Sequence, residues 1–192
     1  MILLFSDIHG NKKAAQLIES IAKDFDEIIC CGDICGYNLD FSYCIKMFKE
    51  LGVKSVLGNH DYMVINRNFY LGDIISQVAI PIYKTRCLIT QEDLDYLCAL
   101  PLSIETEGGL FITHTYNLDR YLTTPESCDS LLEMTASKII AIGHTHVMQQ
   151  FLIGDTLVIN PGSISKGRVG TGPSYMIIDG TKVIERRIER WQ

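Results

Sequence analysis

The sequence predicts an α/β fold, and three observations carry that reading. Apolar runs of strand length alternate with segments of helical periodicity over the first third of the chain. Five apolar runs along the chain are each followed at once by a polar motif containing Asp, Asn or His. The later half holds further short strand-like runs separated by glycine turns.

The elements follow in order. Met1–Phe5 is a short apolar run and reads as a buried strand. Lys12–Lys23 places Ala15, Leu17, Ile18, Ile21 and Ala22 at near-helical spacing. Glu27–Cys31 is strand-like. Phe41–Leu51 reads as a helix with Ile45, Phe48 and Leu51 on one face and Gly52 as its stop. Val53–Leu57 is a third strand. This β-α-β-α-β order implies parallel strands joined by right-handed crossovers. Residues 66–109 carry the weakest pattern, apart from a helix over Gln91–Leu100 that ends before Pro101. Leu110–Thr113 and Lys138–Ile142 read as strands. Phe151–Ile153 and Thr156–Ile159 form a hairpin around Gly154-Asp155, and Ser174–Ile178 and Lys182–Ile188 turn at Gly180. The later half is therefore expected to be antiparallel in part.

The length of 192 residues suits one domain over residues 1–192, with a core large enough to need no disulfide staples. A net charge of -6 argues against a broad nucleic-acid surface. It leaves room for a small phosphate ester, because a bound metal supplies positive charge locally. No apolar run approaches the roughly 18 residues of a membrane span. Met1–Phe5 is too short for a secretion signal, so a cytoplasmic chain with no membrane partner is expected. Seven cysteines cannot all pair. Cys30, Cys31 and Cys35 crowd around Asp33 but form no Cys-x-x-Cys pair, and read as small buried hydrophobes.

All five histidines fall in short polar motifs after apolar runs. They are His9 in Asp7-Ile8-His9-Gly10, His60 in Gly58-Asn59-His60-Asp61, His114 in Thr113-His114-Thr115, and His144 and His146 in Gly143-His144-Thr145-His146. Asp33 in Gly32-Asp33 has the same setting. Each motif alone is an ordinary turn; the set in this order points to a metal site. Ligands gather at the carboxyl ends of strands in open α/β sheets, so the motifs are expected to meet on one rim. Asp7 and His9 are two apart, as are His144 and His146, so an extended backbone would point each pair to one side. Gly10, Gly32, Gly58 and Gly143 are expected to let the backbone turn sharply beside the site.

As a set, these residues resemble the calcineurin-like metallophosphoesterase superfamily, over residues 7 to about 163. The short chain and Gly32-Asp33-Ile34-Cys35-Gly36-Tyr37 resemble its small prokaryotic phosphodiesterase branch. The resemblance implies a four-layer α-β-β-α sandwich of two mixed sheets flanked by helices, with a two-metal site at the strand ends. It implies that Asp7, His9 and His146 hold one metal, that Asn59, His114 and His144 hold the other, and that Asp33 bridges both. His60 is implied to be catalytic, standing beside the phosphate as acid or electrostatic stabiliser. The implied cofactors are two divalent ions. Nitrogen and oxygen ligands without thiolate suit Mn, Fe, Ni or Zn, with manganese favoured.

The implied reaction is hydrolysis of a phosphodiester bond in a small soluble substrate by a metal-bridging hydroxide. Two such metals against two carboxylates and a hydroxide leave a site charge of about +1. Protein phosphatases of the superfamily carry Asp-Arg three and four residues after the bridging Asp. Here Gly36 and Tyr37 stand there, which argues against a phosphoprotein substrate. Only 23 residues separate His114 from Lys138, too few for a large cap. Tyr116, Asn117, Arg120, Tyr121 and Arg168 are candidate substrate contacts. The alternatives are a phosphomonoesterase, or a non-catalytic metal-binding scaffold for protein interaction such as the retromer subunit of this fold. A scaffold has no need of His60 or of all seven ligands. Nuclease action is disfavoured by the acidic charge.

Overall fold

The first sheet grows from the two short parallel ladders expected near the N-terminus. β1 (Ile2–Phe5) pairs in parallel with β2 (Glu27–Cys30), and β2 with β3 (Lys54–Ser55). The crossovers are α1 (Lys12–Ile21), continued by one 3-10 turn over Ala22–Asp24, and α2 (Phe41–Leu51). Asn11 caps α1 by accepting from the backbone N–H groups of Lys13 and Ala14. Gly52 ends α2 at φ 63°, a left-handed cap that glycine adopts without steric penalty. In this computed structural model residues 1–114, 129–168 and 170–189 are described.

The middle of the chain is helical. α3 (Asn59–Ile65) begins inside the Gly58-Asn59-His60-Asp61 motif, and α4 (Ser76–Leu88) and α5 (Gln91–Cys98) follow. α4 fills the stretch that carried the weakest sequence pattern. It buries Val78, Ile82 and Thr85 yet leaves Ile80, Tyr83 and Leu88 exposed, so no polar face marks it as amphipathic. Pro81 also lies within it.

The second sheet takes β4 (Ser103–Glu105), β5 (Leu110–Thr113), β6 (Ile139–Ile142), β7 (Met148–Ile153) and β8 (Thr156–Pro161), in the order β4-β5-β6-β8-β7. Its centre is parallel and its two edges are antiparallel. The hairpin of β9 (Ser174–Asp179) and β10 (Lys182–Arg187) does not extend this sheet. β9 instead pairs antiparallel with β1, giving the first sheet the order β10-β9-β1-β2-β3.

Side-chain alternation makes the layers. Leu3 and Phe5 point from β1 into a core shared with α1 and α2, through Ile18, Ile45 and Phe48. Leu4 points the other way, into a core between the sheets with Ile29, Ile112, Ala141 and Ile159. Phe111, Ile140 and Ile142 leave the far face of the second sheet to meet Leu131 of α6 (Asp129–Leu132). The result is the four-layer α-β-β-α sandwich of two mixed sheets. Central strands buried on both faces explain why their sequences read as unbroken apolar runs. No helix among the described residues is long and apolar enough to cross a membrane.

Candidate metal centre

The loops after β1, β2, β3, β5 and β6 meet where the two sheets come together, and they bring all five histidines with them. Asp7, His9, Asp33, His60, His114 and His146 are all buried. Asp7, His9 and His146 present ligand atoms within 4.8 Å of one another, as do His9, Asp33 and His60, and Asp7, Asp33 and His114. Asn59 completes the cluster. Its Oδ1 lies 2.8 Å from His144 Nδ1 and 3.0 Å from His114 Nε2.

The pairs at 7 and 9 and at 144 and 146 do not lie on extended backbone, as the spacing suggests. Asp7, His9, Asp33, His144 and His146 all have φ between 49° and 69°. They are the five non-glycine residues with positive φ among the described residues. Such left-handed residues cost roughly 1–3 kcal/mol each and persist where surrounding structure forces them. Here backbone bonds do so. The N–H of Asp7 donates to Gly32 O, that of His9 to Asp33 O and that of Gly10 to Ile34 O.

The glycines divide into two kinds. Gly10 and Gly32 have φ 63° and 97° and turn the chain as expected. Gly58 and Gly143 do not have positive φ; they give room. A Cβ on Gly58 would lie 2.0 Å from Asp33 Oδ1, and one on Gly143 would lie 2.5 Å from Ser6 Oγ and 2.8 Å from His114 Nδ1. Gly36 does both. Its φ is 145°, and a Cβ there would lie 2.2 Å from His9 Nδ1.

Hydrogen bonds fix the imidazoles. His9 Nδ1 donates to Cys35 O at 2.8 Å, His114 Nδ1 to Cys31 O at 2.6 Å and His146 Nδ1 to Lys166 O at 3.1 Å. A ring that gives its Nδ1 proton to a carbonyl turns Nε2 inward as the potential ligand atom. His9 Nε2 and His146 Nε2 then face each other at 3.0 Å, beside Asp7 Oδ1 at 3.6 and 3.1 Å. That carboxylate oxygen is buried and accepts no hydrogen bond from the described residues. Three lone-pair bearers around one point are mutually repulsive unless a cation lies among them. Two nitrogens at right angles about 2.1 Å from one ion sit roughly 3 Å apart, so the residues fit a metal.

The charges are set by burial and by neighbours. Burial opposes ionisation of Asp7 and Asp33, but the surrounding imidazoles win and hold both carboxyls below their ordinary value. Burial and the adjacent His60 push His9 down to about 3. Burial and His114 push His144 down to about 4. His114 moves the other way. Burial would lower it, but Asp33, with Oδ2 at 3.3 Å, raises it to about 9. Burial lowers His60, whose Nε2 stands 3.9 Å from Asp33 Oδ2 and whose ring is 4.7 Å from that of His9. Burial raises the thiols of Cys30, Cys31 and Cys35, as expected of small hydrophobes rather than thiolate ligands.

Two supports escape a reading of the sequence. Asp61 is fully buried and accepts from the N–H groups of Ile34, Cys35 and Gly58, which pins the Asp33 loop to α3. Its place in the Gly-Asn-His-Asp motif was visible, but its partners were not. Arg86 of α4 donates from Nε and Nη2 to the carbonyls of Met63, Asn66 and Phe69, clamping the end of α3. Among the candidate substrate contacts, Tyr116, Asn117, Arg120 and Tyr121 lie outside the described residues. Arg168 lies near the centre, with Nη2 3.3 Å from the hydroxyl of Tyr37.

Known proteins resemble this chain in sequence and in fold. The chain is 31% identical to an uncharacterized protein of Methanocaldococcus jannaschii, over 93% of this chain and 82% of that one. A metallophosphoesterase from Sphaerobacter thermophilus superposes with a TM-score of 0.82 and 26% identity, covering 98% of this chain and 87% of that one. A hypothetical protein from Pyrococcus horikoshii superposes at 0.80 with 16% identity, covering 98% and 88%. The family model of the calcineurin-like phosphoesterase superfamily domain matches residues 1–182, and with those seven side chains and His60 gathered on one rim, the chain belongs to that superfamily.

Proposed function

We propose that this chain is a two-metal phosphodiesterase that hydrolyses a small phosphate ester. The observation that carries the reading is the inward Nε2 of His9, His114 and His146, fixed by three backbone carbonyls around two buried carboxylates. Asp7, His9 and His146 would hold one divalent ion; Asn59, His114 and His144 would hold the second; Asp33 would touch both. When bound, the pair supplies Lewis acidity and an activated water for in-line attack. Manganese is the favoured ion, with Fe, Ni and Zn also suited to these ligands.

The chain's own residues do the rest. Hydrolysis joins a water oxygen to phosphorus, breaks the ester P–O bond and leaves the departing oxygen needing a proton. His60 stands beside Asp33 and offers a ring N–H to that side. Its lowered pKa keeps the ring neutral near pH 7, so it acts as a hydrogen-bond donor and stabiliser, and only at lower pH as a full acid. Asp33 Oδ1 accepts the N–H of His60, which holds the residue in place.

A site charge of about +1 favours a monoanionic diester over a dianionic monoester. The test compares bis(p-nitrophenyl) phosphate with p-nitrophenyl phosphate under Mn²⁺ and Ni²⁺, with metal content measured on the same preparations. Two metals per chain and faster diester cleavage are expected. Faster monoester cleavage under both metals would replace the reading with a phosphomonoesterase. A metal-loaded chain inert toward every ester would favour the protein-interaction scaffold.

A further inference from the structure

A cavity of about 630 Å³ opens beside His146. Tyr37, Asn38, Ser165, Lys166 and Arg168 contribute to its wall. Among the described residues no acidic side chain lines it, although the chain carries 23 Asp and Glu against 17 Lys and Arg. Two cations therefore share one wall of a concave space in a protein of net charge -6.

The wall is tied to the candidate ligands. Ser163 Oγ donates to Asp7 O at 2.9 Å and accepts from the N–H groups of Ser165 and Lys166. Lys166 O accepts from the His146 ring, and the N–H of Arg168 donates to His146 O at 3.1 Å. Gly167 lets this turn close; a Cβ there would lie 2.0 Å from Thr171 O. The Tyr37 hydroxyl accepts from Arg168, while its ring packs edge-on against His9 at 4.6 Å and His146 at 6.1 Å. The backbone at Lys166 and Arg168 is thus held at a fixed offset from the candidate metal centre, while both side chains are exposed and the Arg168 guanidinium is steadied by Tyr37.

We infer that Lys166 and Arg168, with Tyr37, form a subsite for a second phosphoryl group of the substrate. The substrate class is then an organic phosphodiester or phosphoanhydride that carries a further phosphate beside the scissile one. The class deepens the phosphodiesterase reading and rests on it; the anion subsite itself does not. Guanidinium and ammonium groups in a partly enclosed cavity bind a phosphoryl oxygen by charge-assisted hydrogen bonds, and both lie outside the residues assigned to the metals.

Two measurements separate the readings. The first needs no metal: calorimetric binding of AMP and of adenosine to the metal-free protein. AMP is expected to bind about tenfold or more tightly than adenosine, and K166A/R168A is expected to remove that advantage. The second compares kcat/KM for diadenosine triphosphate and bis(p-nitrophenyl) phosphate on the manganese-loaded enzyme. The double variant is expected to lower the ratio of the two by about tenfold or more, through KM on the polyphosphate, while Lys182→Ala on β10 leaves the ratio alone. Equal binding of AMP and adenosine, or an AMP advantage that survives K166A/R168A, overturns the subsite. An unmoved selectivity ratio does so too. If the AMP advantage depends on the two cations while the loaded protein cleaves no ester, the subsite stands and the phosphodiesterase reading falls.

Discussion

His114 Nε2 lies 3.3 Å from Asp33 Oδ2, and that carboxylate holds the imidazole protonated up to about pH 9 in the metal-free protein. On the proposed ligand assignment, divalent metal and proton compete for the same nitrogen. Metal uptake at pH 7.5 should release about one proton per chain from His114, and apparent affinity should rise with pH toward about 9. The folded pKa lies above the unfolded value near 6.5. The pair's contribution to metal-free stability is therefore complete below about pH 6.5 and is lost as pH rises through about 9. Calorimetry in two buffers of different protonation enthalpy measures the release; a heat of binding that ignores the buffer would refute it.

His60→Ala should keep both metals and the fold. It should lower kcat by roughly 10²–10⁴, more for a poor leaving group than for p-nitrophenolate. Asp33→Ala should lose metal together with activity. His60 also stands within ligand range of His9 and Asp33, so elemental analysis decides between the two roles. Metal lost from His60→Ala would make the residue a ligand.

Gly36→Ala should damage the centre without touching a functional side chain. The substitution meets both a strained φ and His9 Nδ1. A cost of about 1–3 kcal/mol from the backbone alone is expected, with weaker metal binding because His9 must move. Thermal unfolding and metal titration measure the two effects. Wild-type values of both would show that the loop yields freely.

Arg86→Ala should loosen α3, and with it Asn59 and His60, although Arg86 lies outside the cluster. Three carbonyls lose a charged donor, at about 1.5–3 kcal/mol. Arg86→Lys should recover little, because an ammonium lacks the planar fork. Denaturant unfolding of both variants is the check, and a fully restored lysine variant would argue that charge alone matters there.

The sequence already displayed the strands of the parallel ladders and every residue of the cluster, because buried strands read as apolar runs and polar residues after them stand out. Geometry set by distant contacts was hidden. Nothing local distinguishes Gly58, which makes room for Asp33, from Gly32, which turns the chain. Nothing in Ser174–Asp179 announces pairing with β1, more than 170 positions earlier. α4 was obscured because both its faces carry apolar residues, so periodicity had nothing to contrast. β3 shrank to Lys54–Ser55 because only those residues find partners on β2.

The left-handed residues have a consequence for how this protein can change. Asp7, His9, Asp33, His144 and His146 each occupy a conformation that glycine accepts more readily. Taken together their strain is on the order of 5–15 kcal/mol, as large as the net stability of a typical domain. A mutant library screened only for heat resistance would gain from relaxing those backbones, and should accumulate glycine or asparagine there. One screened for turnover should retain the strained residues and collect its stabilising substitutions elsewhere. The two lineages would diverge first at the very positions where an unselected sequence has least reason to keep an imidazole or a carboxylate.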